Sequence, residues 1–266
     1  MTIGGRQLLG RGRTADIYEW DDGRAVRLEQ PGIGRSVAES SRAALASARE
    51  AGAPCPAVFD VVEVDGRVGL VMERIDGPDM LNDFAAHPWR LAAYARALAD
   101  LHAAIVSTPA PMSAHPVRPD LRRQLDDDAI PRPIADVARG LLDVLPDGDR
   151  LVHGDFHPGN VLLGPSGPVV IDWENLGAGD PAEDHARTSL LLRHADPPHA
   201  AAPLRFLVAG GRRAFARLYE RAFRSRVPVA PDATRRWLYV LAAARLSLQI
   251  EPERARLLAL LANLRQ

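Results

Sequence analysis

The sequence predicts an α+β organisation in two parts, a small antiparallel sheet carrying one helix followed by a larger, mainly helical region. Three observations lead there. Residues 6–74 break into short β-prone runs separated by turn residues, and a single Ala-rich stretch among them has helical character. From residue 88 onward, apolar residues recur at helical spacing. With 266 residues and an apolar fraction of 47%, the chain can bury the core of one large domain or of two lobes.

The first strands are RQLLG, ADIYEW and RAVRLEQ, joined by RGRT and then by DDG, a turn that suits a hairpin. VFDVVEV and RVGLVMER repeat the pattern around Asp65-Gly66. Between the two hairpins, GRSVAESSRAALASAREAGAPCP predicts a helix opening near Ser36 and closing at Gly52 and Pro54. The expected product is an antiparallel sheet of about five strands with one inserted helix. After RIDGPD the character changes. PWRLAAYARALADLHAAI places Leu91, Ala95, Leu98, Leu101, His102 and Ile105 on one helical stripe. Residues 107–133 are rich in proline and read as irregular chain. Four later stretches read as helices: PAEDHARTSLLLRH, APLRFLVAGGRRAFARLYERAF, ATRRWLYVLAAARLSLQ and ERARLLALLANL. The expected division is 1–75 for the sheet-bearing lobe and 76–266 for the helical one.

Charge and composition narrow the functions. A formal net charge of -1 gives no global attraction to nucleic acid or to an anionic membrane. Cys55 is the only cysteine, which excludes an intrachain disulfide and a cysteine-based metal cluster. MTIGGRQLLGRG lacks the features of a secretion signal, and the apolar runs are too short to span a bilayer, so a cytoplasmic location is expected. All 33 basic side chains other than histidine are arginine. Any role that calls for an ammonium group must here fall to a guanidinium.

The chemistry concentrates in LVHGDFHPGNVLL, residues 151–163, and in VVIDWEN, residues 169–175. Phosphoryl transfer from a nucleotide needs cations against the phosphates, a base beside the incoming hydroxyl and a cover over the phosphates. Asp155 sits in a turn broken by Gly154 and Pro158, where its carboxylate can act as general base toward an acceptor hydroxyl. Asn160 supplies a neutral oxygen and Asp172 a charged one, a donor set suited to Mg2+ bridging phosphates.

Through HGDFHPGN followed by IDWE, the chain resembles the aminoglycoside phosphotransferase and choline kinase family, relatives of the protein kinases. LGRGRTADIYEW is similar to that family's phosphate-covering loop, GLVMERIDG to its hinge, and GDPAEDHARTSLLL to the stretch after its metal motif. The resemblance implies a bilobal, protein-kinase-like fold. It makes Asp155 the catalytic residue and Asn160 and Asp172 the metal ligands. Gly10, Gly12, Arg13 and Thr14 would lie over the phosphates, Met72 would border the adenine, and the backbone of Glu73 and Ile75 would hydrogen-bond its edge. The family's third-strand lysine, held by a helix glutamate, is Arg27 here, with Glu39 the expected partner. The implied activity is transfer of the γ-phosphoryl group of ATP, with GTP as the alternative, to a hydroxyl of an antibiotic, sugar or amino alcohol. The competing reading, motivated by Arg27, is a nucleotide-binding protein without efficient catalysis. A small hydroxyl-bearing acceptor is the only partner implied: no nucleic acid, no membrane and no obligate protein partner.

Plainer readings stand beside these. H-x-D-x-H also opens the metal site of binuclear phosphoesterases, but the further His and Asn motifs of such sites are missing from the sequence. His153 and His157 are therefore expected to brace the turn, and His102 to be a satisfied buried residue. Asp126 to Asp128 reads either as a wall for a cationic substrate or as a solvated face, and Glu174 as a metal aid or a structural group. From residue 201 onward, thirteen arginines face four acids, which favours a neutral or anionic acceptor over a polycation unless the arginines only coat outer faces.

Overall fold

The computed structural model describes residues 3–12, 14–195, 205–251 and 253–265, with 205–209 described by backbone alone. The chain forms two compact units, neither continuous in sequence: Met1–Asp83 with Gly159–Leu176, and Phe84–Pro158 with Gly177–Gln266. The α+β class expected from the sequence is what the described residues form.

In the first unit, β1 (Leu8–Arg11), β2 (Ala15–Glu19), β3 (Arg24–Glu29), β4 (Val58–Val64) and β5 (Arg67–Glu73) build a five-stranded antiparallel sheet in the order β1-β2-β3-β5-β4. Its hairpins are tight because their turns tolerate left-handed backbone. Asp22 and Gly23 have φ of 56° and 70°, and Asp65 and Gly66 have φ of 51° and 73°, the double positive φ of the turn that matches strand twist. Helix α1 (Arg35–Glu50) buries Ala38, Ser41, Leu45 and Ala48, a stripe at intervals of three and four residues. It stops at Gly52, whose φ of 82° lets the Ala53 N–H return to the Ala48 carbonyl at 2.9 Å. Cys55 is buried, and its thiol is pushed up to about 11 by that burial, which makes it an unreactive core group.

The hairpin of β8 (Val161–Gly164) and β9 (Gly167–Val170) belongs to this same unit. The segment after β5 crosses it closely, the Leu163 N–H donating to the Pro78 carbonyl at 2.9 Å, and the segment between α1 and β4 meets its other strand, where the Val170 N–H donates to the Pro54 carbonyl at 2.6 Å. The crossing requires a glycine. A Cβ on Gly77, whose φ is 157°, would lie 2.1 Å from the Leu163 carbonyl oxygen.

Helix α2 (Met80–Ala86) precedes the second unit's long helix α3 (Leu91–Ser107), which buries Ala95, Leu98, His102 and Ile105 as its periodicity implies, leaving Leu91 and Leu101 half-buried. The unit adds β6 (His115–Pro116), α4 (Val117–Gln124), α5 (Arg132–Val144), β7 (Arg150–Val152) and β10 (Gly177–Gly179), with the strands in the order β6-β10-β7. Helices α6 (Pro181–His194), α7 (Arg205–Arg224), α8 (Pro231–Arg245) and α9 (Glu253–Leu264) complete it. Trp237, Leu121, Leu142, Ala186 and Leu190 meet in its core.

The segment expected to be irregular holds more structure than its prolines suggest. Pro119 lies in the first turn of α4 and Pro133 in that of α5, where a missing N–H costs nothing, and Leu121, Ala135, Ala138 and Leu142 give both helices a buried face. Helix α6 begins where the Asp180 carboxylate accepts the Ala182 N–H at 2.9 Å, with Pro181 at the first helical position. No helix among the described residues is long and apolar enough to cross a membrane.

Candidate active site

β7 ends at Val152, and the next three residues form a turn held by its own backbone. Gly154 takes a φ of 76°, and the Asp155 N–H donates to His153 Nδ1 at 3.2 Å. The turn is clamped from α6. Asp184 Oδ2 accepts the His153 N–H at 2.8 Å, and its Oδ1 accepts the Gly154 N–H at 3.0 Å. His102 Nε2 lies 3.1 Å from the same carboxylate, its Nδ1 lies 2.5 Å from the Tyr219 hydroxyl, and its ring stacks on Phe156 at 4.4 Å. Asp184 and His102 are wholly buried. Burial alone would raise the Asp184 carboxyl, but the hydrogen bond and charge of His102 and the His153 N–H outweigh it and hold Asp184 far below the ordinary carboxylate range. Burial raises the Tyr219 hydroxyl, which therefore keeps its proton. Beside them, burial lowers His185 to about 3, so it stays neutral.

Asp155 itself keeps a third of its side chain exposed, with His157 Nε2 at 3.8 Å from Oδ2. The sequence singled out this carboxylate, and the structure places it half-buried on the turn that Asp184 holds. His153 braces the turn as expected. Arg187 on α6, held by Glu183 at 2.6 Å, interacts electrostatically with Asp155.

Within the first unit, Asn160 and Asp172 flank the open end of the β8–β9 hairpin. Val161 pairs with Val170, and the Ile171 N–H donates to the Asn160 carbonyl at 3.0 Å, so Ile171 lies opposite Asn160 and Asp172 follows one residue on. Asn160 is buried, whereas Asp172 is exposed in a left-handed conformation with φ 64° and ψ 54°. That backbone costs about 1–3 kcal/mol for a residue other than glycine, and such strain gathers at functional sites. One amide oxygen and one carboxylate fit Mg2+, which takes few protein ligands and completes its shell with phosphates and water. Among the described residues no group of three His, Cys, Asp or Glu could hold a metal without such help.

Arg27 projects from β3, and here the structure corrects the sequence reading. Glu39, expected as its partner, lies on the exposed face of α1 and pairs with Arg35 one turn away at 2.9 Å. Position 41, not 39, is on the stripe that α1 turns toward the sheet. Arg27 pairs instead with Glu174 and, at 3.5 Å, with Glu29. It also reaches Ser41 Oγ at 3.3 Å and Thr14 Oγ1 at 3.5 Å. Ser41 and Glu29 carried no sequence signal; alternation along β3 fails to announce a buried acid.

Gly10 lies within β1, Gly12 and Thr14 lie between β1 and β2, and Arg13 lies outside the described residues. Gly12 is needed as glycine: its N–H donates to the Ala15 carbonyl at 2.8 Å, and a Cβ there would stand 2.8 Å from that oxygen. Met72 is half-buried on β5 opposite Ala25. The Glu73 N–H is taken by the Ala57 carbonyl at 2.8 Å, so any contact of Glu73 with a base falls to its carbonyl. Ile75 is half-buried next to Gly164 of β8. The acidic run at 126–128 is exposed; Asp126 pairs with Arg139 at 3.1 Å, and Asp127 accepts the Ala129 N–H at 2.8 Å.

Known structures share this fold. A choline/ethanolamine kinase family protein from Mesorhizobium loti is 17% identical with a TM-score of 0.59, covering 98% of this chain and 87% of its own. An amicoumacin kinase, hAmiN, in complex with AMP-PNP and Ca2+, is 14% identical with a TM-score of 0.61, covering 98% and 86%. An aminoglycoside phosphotransferase from Streptomyces rimosus, in complex with ADP and streptomycin, is 18% identical with a TM-score of 0.56, covering 89% and 91%. No curated protein matches the chain. The family model described as the phosphotransferase enzyme family matches residues 7–222, and the chain belongs to that family.

Proposed function

We propose that the protein transfers the γ-phosphoryl group of ATP to a hydroxyl of a small molecule in the cytoplasm. The observation that carries this reading is Asp155, partly exposed on a turn that Asp184 clamps through two backbone N–H groups. A general base must be presented in a fixed direction, and the clamp does so without using the base itself. Asp155 orients the acceptor hydroxyl and takes its proton as that oxygen bonds the γ-phosphorus, while the bond to the bridging oxygen breaks and ADP leaves. Asn160 and Asp172 hold Mg2+, which when bound neutralises charge on the phosphates. Arg27 and the loop residues Gly10, Gly12, Arg13 and Thr14 lie over the phosphates, whereas Met72, the Glu73 carbonyl and the Ile75 N–H receive the base. Residues 1–75 thus serve the nucleotide, and 76–266 supply the base, the metal ligands and the acceptor pocket.

The nucleotides and antibiotics bound in the neighbouring structures support both classes of ligand. The arginine-rich last third favours a neutral or anionic acceptor, although Arg245 is spent on Glu253 at 2.8 Å and Glu220 is taken by Arg193 at 2.7 Å. Arg27 in place of lysine is the one observation that favours the second reading, a nucleotide-binding protein without efficient catalysis. A screen with labelled ATP against antibiotics, sugars and amino alcohols separates the two. A phosphorylated product is expected from at least one class; ATP binding with no product from any would support the second reading, and no ATP binding would contradict both.

A further inference from the structure

Arg27 is fixed at three corners of its guanidinium. Its NH1 pairs with Glu174 and lies 3.3 Å from Ser41 Oγ, its Nε lies 3.5 Å from Glu29 Oε1, and its NH2 lies 3.5 Å from Thr14 Oγ1 in the phosphate-covering loop. The Ser41 hydroxyl in turn donates to Glu174 Oε1 at 3.2 Å. Glu29 is fully buried, its carboxylate accepts no hydrogen bond among the described residues, and Arg27 is a neighbouring cation that offsets it. Beside this group, a cavity of about 220 Å3 is lined by Ser36, Val37, Ser40, Ser41 and Glu174. The short side chains of α1 leave that space open. A lysine ammonium is a single point of charge and could not meet Glu174, Ser41 and Glu29 while also facing Thr14; a planar fork can.

We infer that Glu174 is the residue that positions Arg27 for the nucleotide phosphates, a duty that α1 does not perform in this chain because it offers Ser41 at the facing position. This rests on the phosphotransferase reading above. One short segment then carries both Asp172 and the counter-charge of Arg27, so the grip on the phosphates and the metal ligand move together. With Glu174 neutralised, Glu29, 3.5 Å from Arg27 Nε, is the one acid left of the two that pair with Arg27 among the described residues.

Calorimetric titration of Mg-ATP into wild type, Glu174→Gln and the double variant Glu174→Gln/Ser41→Glu tests this, with melting curves confirming that each is folded. Glu174→Gln should weaken binding about 10- to 100-fold, the worth of one charge-assisted hydrogen bond. Ser41→Glu, filling the open space, should restore most of the loss, which a merely structural role for Glu174 would not allow. Wild-type affinity in Glu174→Gln, or a loss that Ser41→Glu leaves unrepaired, would overturn the inference. A wild-type protein that binds no Mg-ATP would instead remove the phosphotransferase reading on which it stands.

Discussion

Asp155→Asn is expected to lower kcat for phosphoryl transfer by roughly 10²- to 10⁴-fold, the usual worth of a general base, while Mg-ATP binds with near wild-type affinity. The substitution keeps size and shape but removes the proton acceptor. It should not disturb the turn. The groups that hold residues 153–155 include backbone N–H donors, the His153 ring and the Asp184 carboxylate, and the Asp155 N–H survives the change. Steady-state rates with any acceptor found in the labelled-ATP screen provide the measurement. A variant with unaltered kcat would remove Asp155 from the base role, and one that fails to bind nucleotide would show that its carboxylate has a different task.

Asp184→Ala is expected to cost about 3–5 kcal/mol of stability, the penalty for breaking a buried, hydrogen-bonded charge pair. The change strands the N–H groups of His153 and Gly154 and the Nε2 of His102 in a dry interior. Urea unfolding at pH 7 measures it, and a loss below 1 kcal/mol would contradict the clamp. The pH dependence has a definite sign. Because the folded protein holds Asp184 below its ordinary value, its stabilisation is complete above the unfolded carboxylate pKa of about 3.9 and is lost only as the pH falls toward the lowered folded value. The variant should therefore lack that part of the wild type's acid sensitivity. It should also lose transfer rate, since Asp155 would ride on a loosened turn.

The first unit's sheet was legible because its turns are written locally: Asp-Gly pairs at 22–23 and 65–66 adopt the left-handed backbone that only a few residues accept. The hairpin that separates Asn160 from Asp172 is written in the same local way, since two short β-prone runs around a glycine-containing turn return the chain to its start. Helix α5 was hidden by Pro131 and Pro133, which read as breakers but act as a helix opening. The partners of Arg27 and the clamp on the catalytic turn were illegible for a deeper cause. Ser41 meets Glu174 across 133 positions, and His102 meets Asp184 across 82. Periodicity reports which face of an element is buried, not which distant element lies against it. Glu39 illustrates the limit: it was the acid nearest the expected place in α1, but one helical position decides between facing the sheet and facing solvent.

The account depends most on Asp172 holding the ion that accompanies the nucleotide. Thermal unfolding of wild type and Asp172→Ala with saturating ATP, with and without Mg2+, measures that dependence directly. Wild type should melt at a higher temperature in Mg-ATP than in ATP alone, and Asp172→Ala should lose most of the Mg2+-dependent increment. An increment of equal size in both proteins, or none in wild type, would contradict it.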